Sequence, residues 1–337
     1  MDIFETLEQS KHTGILCLSN RKLDTLPTLP DNLRELICIH CELSCLPALP
    51  STLRKLYCSG NKLQVLPKLP PSLRVLSCEH NLLTSLPSLP GTLTELVCSC
   101  CELTYLPDLP SNLLTLNCSE NNLPCLPTLP ASLRSLICGQ NPLVRLPDLP
   151  SSLQELLCSQ THLTSLPRLP DSLTSLYCRE TKLSHLPPLP NSLRIVYVCD
   201  NKISSLTHIP SSLLHFSCRN NHLTCLPTVP SSLHSIELEG NPWNPLFVSF
   251  VAQHPEESWE NLRIGIQAYH SELERRTKIR ARGRTCVGLS YTLLHDSEHF
   301  LSKDVVYVVG SYISGEYGRL DHQIQTLHAS LIAHPPR

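Results

Sequence analysis

The chain has 337 residues, with 27 Lys plus Arg against 29 Asp plus Glu and a net charge of −2, which argues against a general polyanion binder. Aromatic residues make up only 5%, so any core has to be aliphatic rather than built on large rings. Thirty prolines would ordinarily point to disorder, and 18 cysteines to disulfides or metal, but a strict period in the sequence argues against both.

Residues 1–14 carry Asp2, Glu5 and Glu8 and no apolar run, so no secretory leader is visible. Nothing in the chain approaches a membrane span. Ile3, Phe4 and Leu7 are expected to cover the first open layer of the segment that follows, making 1–14 a short N-terminal cap.

From 15 to 243 the chain repeats a twenty-residue unit, stated most cleanly as Leu53-Arg-Lys-Leu56-Tyr-Cys58-Ser-Gly-Asn61-Lys-Leu63-Gln-Val-Leu66-Pro67-Lys-Leu69-Pro70-Pro71-Ser72. Every twentieth residue from Leu33 to Leu233 is leucine. The pattern L-x-x-L-x-C-x-x-N-x-L is a leucine-rich repeat with cysteine where leucine or valine is commoner. Leu36 and Cys38 alternate with outward residues, so Glu35 to Ile39 reads as a short strand with one buried face. Asn61, Asn81, Asn121, Asn141, Asn201, Asn221 and Asn241 occupy the turn after the strand, where a buried amide can satisfy backbone groups of two repeats and form a ladder. Cys41, Cys101, Thr161 and Thr181 replace it in four copies. The column Asn32, Thr52, Ser72 through Ser232 is always small and hydrogen-bonding, as a tight turn requires. Each repeat returns through Leu-Pro-x-Leu-Pro, as in Leu46 to Pro50. Two prolines in five residues exclude a helix and favour an extended polyproline II path. One such unit cannot bury enough surface to fold alone, whereas a stack of eleven or twelve can. The expected fold is a leucine-rich-repeat solenoid, with a curved parallel sheet on the concave side and polyproline-II-like convex returns, followed by a small α/β or helical tail.

Nine cysteines (Cys38, Cys58, Cys78, Cys98, Cys118, Cys138, Cys158, Cys178 and Cys218) fill one inward column, where a free thiol acts as a small hydrophobe. Cys38/Cys41 and Cys98/Cys101 imitate a C-x-x-C metal spacing. Their first members belong to the core and their second to the asparagine column, so no metal site is assigned. So many unpaired thiols point to a reducing, cytoplasmic setting.

Gly240-Asn-Pro-Trp243-Asn-Pro245 closes the last repeat, and Leu246 to Val251 reads as a helical turn in a C-terminal cap over 244–256. In the tail, 257–337, Trp259, Leu262, Ile266, Tyr269 and Leu273 recur at three and four, predicting an amphipathic helix over 258–275. Arg275, Arg276, Lys278, Arg280, Arg282 and Arg284 follow. They fit a nucleic-acid patch, but a solvated helix end favoured by the macrodipole is the preferred reading. Val305 to Ile313 is β-like, and Leu320, Ile324, Leu327 and Leu331 suggest a last helix. His295-Asp-Ser-Glu298-His299 matches H-x-x-E-H, with too little chain after it to supply a third ligand. Cys286, near Arg284, has no visible base. With no Gly-rich phosphate loop and no hydrolase elbow, no catalytic residue, cofactor or small-molecule substrate is expected.

Outward strand positions form a column: Ile37, Tyr57, Ser77, Val97, Asn117, Ile137, Leu157, Tyr177, Tyr197 and Ser217. Repeated apolar and aromatic side chains suit protein anchoring, although strand propensity alone also selects them. The expected partner-binding set is Tyr57, Val97, Ile137, Leu157, Tyr177 and Tyr197, oriented by Arg179 and Arg219. The other reading kept open is an enzyme-linked one, in which the repeats select a substrate and the tail supplies or recruits chemistry.

The repeat length with Leu-Pro-x-Leu-Pro, as in Leu86-Pro-Ser-Leu-Pro90, resembles the bacterial-type repeats of IpaH/YopM-like effectors over residues 15–243. That resemblance implies a module that recognises a host protein from within the host cytoplasm. Some members carry a ubiquitin-ligase domain with a Cys-x-Asp motif. Cys286-Val-Gly288 departs from it and the tail is short for that domain, so ligase activity is not carried over. The helical cap usual before such repeats is not expected in residues 1–14.

Overall fold

The computed structural model describes residues 3–23, 25–252 and 259–282. The chain divides into two compact units, 1–198 and 199–337.

The first unit opens with a helix, α1 (Ile3–Thr13), which the sequence reading did not anticipate. Glu5 in its first turn and Lys11 and His12 in its last complement the dipole. Leu7 and Ser10 are buried, with Ser10 Oγ donating to Leu7 O. Gly14, at φ 72°, ends the helix, its N–H returning to Ser10 O at 2.8 Å. The helix packs on β1 (Ile15–Cys17).

Nine more strands follow at twenty-residue intervals: β2 (Glu35–Ile37), β3 (Lys55–Tyr57), β4 (Val75–Ser77), β5 (Glu95–Val97), β6 (Thr115–Asn117), β7 (Ser135–Ile137), β8 (Glu155–Leu157), β9 (Ser175–Tyr177) and β10 (Ile195–Tyr197). Each pairs parallel with the next in register, so like columns stack on like. The strands are three residues long where five were expected. After the third residue the backbone turns inward, and at the sixth, as at His40 after Glu35, it is left-handed.

That turn is the least expected feature. Asn20, His40, Gly60, His80, Cys100, Glu120, Gln140, Gln160 and Glu180 all have φ between 51° and 68°. For a non-glycine residue this costs about 1–2 kcal/mol, offset by ladder bonds such as Gln140 N–H to Ser159 O at 2.8 Å.

The interior is columns of Leu33, Leu36, Cys38 and Leu43 equivalents, most of them fully buried. Small hydroxyls link successive turns: Thr52 Oγ1 donates to Asp31 O at 2.6 Å or Leu33 O at 2.7 Å, and Ser72 repeats the pattern. The asparagine amides do the same inside. Asn81 Oδ1 accepts from Leu63 N–H at 3.0 Å while its Nδ2 donates to Cys58 O and Cys78 O at 3.0 Å. At position 161 threonine donates only to Cys158 O, at 2.9 Å. The Leu143 amide, equivalent to Leu63, then finds no acceptor among the described residues. Thr161→Asn should therefore stabilise the fold by about 1–2 kcal/mol, read as a higher urea midpoint with unchanged m. An unmoved or lower midpoint would contradict this account of the ladder.

In the second unit β11 (His215–Ser217) pairs parallel with β12 (Ser235–Glu237). Asn244 Oδ1 accepts from Leu246 N–H at 2.8 Å, capping α2 (Pro245–Ala252), with Pro245 at the first helical position. α3 (Trp259–Arg282) packs on α2 and runs past the expected end at 275 through the basic segment to Arg282. Phe247 meets Tyr269 edge-on at 5.2 Å and Trp243 at 5.1 Å. Arg275 forms a two-pronged pair with Glu272 at 2.6 and 2.7 Å. Among the described residues no helix is long and apolar enough to cross a membrane. Arg284, Cys286, the 295–299 motif and the elements expected at 305–313 and 320–331 lie outside the described residues.

Candidate functional site

Tyr57, Val97, Ile137, Leu157, Tyr177 and Tyr197 are each the third residue of their strand, on the outward face. All six are half-buried, because in-register neighbours flank each one. Register breaks the expected track into parts. Ile137, Leu157, Tyr177 and Tyr197 are consecutive partners and make a continuous strip. Tyr57 lies between Ile37 and Ser77, and Val97 between Ser77 and Asn117. Asn117 ends the strip, its Oδ1 accepting from Ser119 Oγ at 2.8 Å.

Within the strip the Tyr177 and Tyr197 rings are 5.2 Å apart, tilted by 35°. Burial, then the neighbouring Tyr197 and Glu155, push the Tyr177 phenol above its usual range. Beside the strip runs a row of small residues, Ser119, Gly139 and Ser159, and beyond it a row of amides. Gln140 Nε2 donates to Gln160 Oε1 at 2.6 Å, and Gln160 Nε2 to Glu180 Oε2 at 3.0 Å. The three rows enclose an open groove of about 390 Å³ lined by Ile137, Leu157 and Tyr177 on one side and Gln140, Gln160 and Glu180 on the other.

Gly139 makes this groove possible. A Cβ there would come within 2.7 Å of Ser159 O, so no side chain can stand at that point of its floor. Arg179 is the large residue in the small row; it lines the groove and its backbone N–H donates to Ser159 Oγ at 3.0 Å. Arg219 belongs to the second unit and pairs there with Glu239 at 3.3 Å and Glu237 at 4.0 Å. Of the eight expected contact residues, the structure thus gathers Ile137, Leu157, Tyr177 and Arg179 round one groove. Sequence reasoning missed Gly139, Gln140 and Gln160. The one glycine in the row two residues beyond the strip was the available signal.

No family model matches the chain, and no curated protein does. Among solved structures, the chain is similar to YopM, a leucine-rich effector protein from Yersinia pestis, at 29% identity over 72% of this chain and 82% of that one, with a TM-score of 0.62. A chain of the octameric complex of Latrophilin 3, Unc5D and FLRT2 (LRR) matches at 22% identity, 72% and 88% coverage and a TM-score of 0.59. The leucine-rich repeat domain of APL1B matches at 18%, 67% and 75%, with 0.54. The last two share the fold alone. The chain is a leucine-rich-repeat solenoid.

Proposed function

We propose that this chain is a protein-recognition module that holds a host protein on the outward face of its sheet, centred on Ile137, Leu157, Tyr177 and Tyr197. The observation that carries this reading is the strip itself. Four consecutive rungs present apolar or aromatic side chains in strict register, with a groove beside them and a polar amide margin. An apolar and aromatic centre with a polar rim is the anatomy of a protein contact. The similarity to an effector of Yersinia pestis supports a partner in a host cell. The described cysteines are all free, which fits work in a reducing compartment.

Affinity capture from host-cell lysate should separate wild type from Leu157→Asp/Tyr177→Asp, with circular dichroism showing both folded. A partner retained by wild type should be lost from the double variant by at least tenfold, since central contacts carry about 2 kcal/mol or more each. Tyr57→Asp, off the strip, should keep it. Equal capture by wild type and the double variant would move the contact elsewhere.

A further inference from the structure

The groove beside the apolar strip has two unlike ends. Its floor is the row Ser119, Gly139, Ser159 and Arg179, one residue from each of four rungs in register. Three of them are small, and the fourth is an exposed arginine. The Arg179 backbone is fixed on both sides, its N–H donating to Ser159 Oγ at 3.0 Å and its carbonyl accepting from Gln160 N–H at 2.7 Å. Its guanidinium makes no hydrogen bond or ion pair among the described residues. Arg219, two repeats on at the same position, shows the contrast, since it pairs with Glu239 at 3.3 Å and Glu237 at 4.0 Å.

Arg179 is the one cation lining the groove. The neighbouring carboxylates do not answer it. Glu180 Oε2 accepts from Gln160 Nε2 at 3.0 Å, Glu155 Oε2 accepts from Ser135 Oγ at 3.0 Å, and neither forms an ion pair with Arg179.

Three rung spacings of about 4.8 Å make the floor about 14 Å long, the reach of about four residues of extended chain. Over Gly139 no Cβ intrudes and Ile137 and Leu157 form the wall, so a large apolar side chain can lie there. Two rungs on, about 10 Å away, a carboxylate would meet the guanidinium fork, whose geometry suits two parallel hydrogen bonds. Across the floor, Gln140 and Gln160 each give one amide hydrogen to the next member of their row. Each amide nitrogen carries a second hydrogen, a donor for the carbonyls of a chain lying in the groove.

We infer that the groove takes an extended acidic segment of the partner, with a large apolar side chain over Gly139 and an Asp or Glu carboxylate, roughly two or three residues along, on Arg179. The inference rests on the proposed recognition role of the strip and specifies which part of a partner sits beside it. A basic segment would set its charge against Arg179 beside an apolar wall, where solvent screens it less. A nucleic-acid strand, with a charge on every phosphate, calls for a run of cations, and the groove has one.

The test is selection of a phage-displayed random peptide library on the full chain, with Leu157→Asp/Tyr177→Asp as the counter-target. Wild type should enrich peptides that place Leu, Ile, Met or Phe a few residues from Asp or Glu. Arg179→Glu should enrich Lys or Arg at the acidic position instead. For a labelled synthetic peptide from the wild-type pool, changing the acid to its amide should weaken binding about tenfold. The same change should leave binding to Arg179→Gln nearly unaltered. Both Arg179 variants should match wild type by circular dichroism, because the side chain they replace holds nothing within the described residues. Peptides lost from the double variant but showing no acidic preference, or an unchanged preference on Arg179→Glu, would overturn the acidic segment and leave the strip as the contact. An absence of enrichment, or a pool that binds wild type and the double variant alike, would overturn the strip reading and this inference with it.

Discussion

Asn121→Ala should destabilise the first unit by several kcal/mol, far more than an ordinary polar-to-alanine change. The Asn121 side chain is buried and makes bonds to two repeats. Its Oδ1 accepts from Leu103 N–H at 3.0 Å, and Nδ2 donates to Cys98 O at 2.9 Å, Ser119 O at 3.0 Å and Cys118 O at 3.1 Å. Alanine leaves the Leu103 amide and the Cys98 and Cys118 carbonyls without this partner in a region closed to water. Each orphaned group costs about 1–3 kcal/mol, so a total of roughly 3–9 kcal/mol is expected. In a stack where each turn contacts only its neighbours, loss at one interface also weakens coupling across it. Urea unfolding should show a lower midpoint and a broader or split transition. Asn112→Ala is the control, because Asn112 is exposed and donates only to Gly91 O at 2.8 Å; it should cost less than about 0.5 kcal/mol. Equal losses for the two variants would refute a buried amide ladder as a main source of stability.

Most of this architecture was legible because the period constrains it. A column that is leucine in every copy has to face inward, and Leu-Pro-x-Leu-Pro has few backbones open to it. What stayed hidden depends on geometry that the period does not encode. The left-handed rung escaped notice because Cys100, Glu120, Gln140 and Gln160 are not residues that announce a positive φ. Helix α1 was missed because its apolar positions are few, and Leu7 finds its burial only against the first repeat. The outward column could be listed from the sequence. Its division into a continuous strip from Ile137 to Tyr197, with Tyr57 and Val97 apart, required weighing the identity of each neighbour in register. The groove depends on one missing Cβ, at Gly139, and on the close approach of Ser159 O. That contact runs between repeats and has no local signature.

Above about pH 9 the fold should lose stability steeply, and the cysteine column should be the cause. Burial pushes the thiols of Cys38, Cys58, Cys78, Cys98, Cys118 and Cys138 upward, with Cys38 and Cys118 at about 12. For Cys158 the hydrogen bond with Cys178, at 2.9 Å, is the leading cause and burial the next. In the unfolded chain a thiol ionises at about 8.5. Below that value both states keep their protons and the column contributes fully. Between about 8.5 and about 12 the unfolded chain releases protons that the folded chain retains, so stability falls as pH rises. Each thiol held neutral then subtracts up to about 1.4 kcal/mol per pH unit. Seven such groups in one unit approach about 10 kcal/mol per unit, comparable with the whole stability of a typical domain. Melting temperature followed from about pH 8 to about pH 11 should fall steeply, with unfolding at room temperature near pH 10. Tyrosine and lysine titrate in the same range, so the decisive comparison is Cys58→Val/Cys98→Val/Cys138→Val. The column accepts such residues, since Leu18 and Val198 occupy it fully buried. The triple variant should change stability only modestly at neutral pH and should shift the alkaline midpoint upward. If the two proteins share one alkaline midpoint, the thiol column is not what limits the fold at high pH.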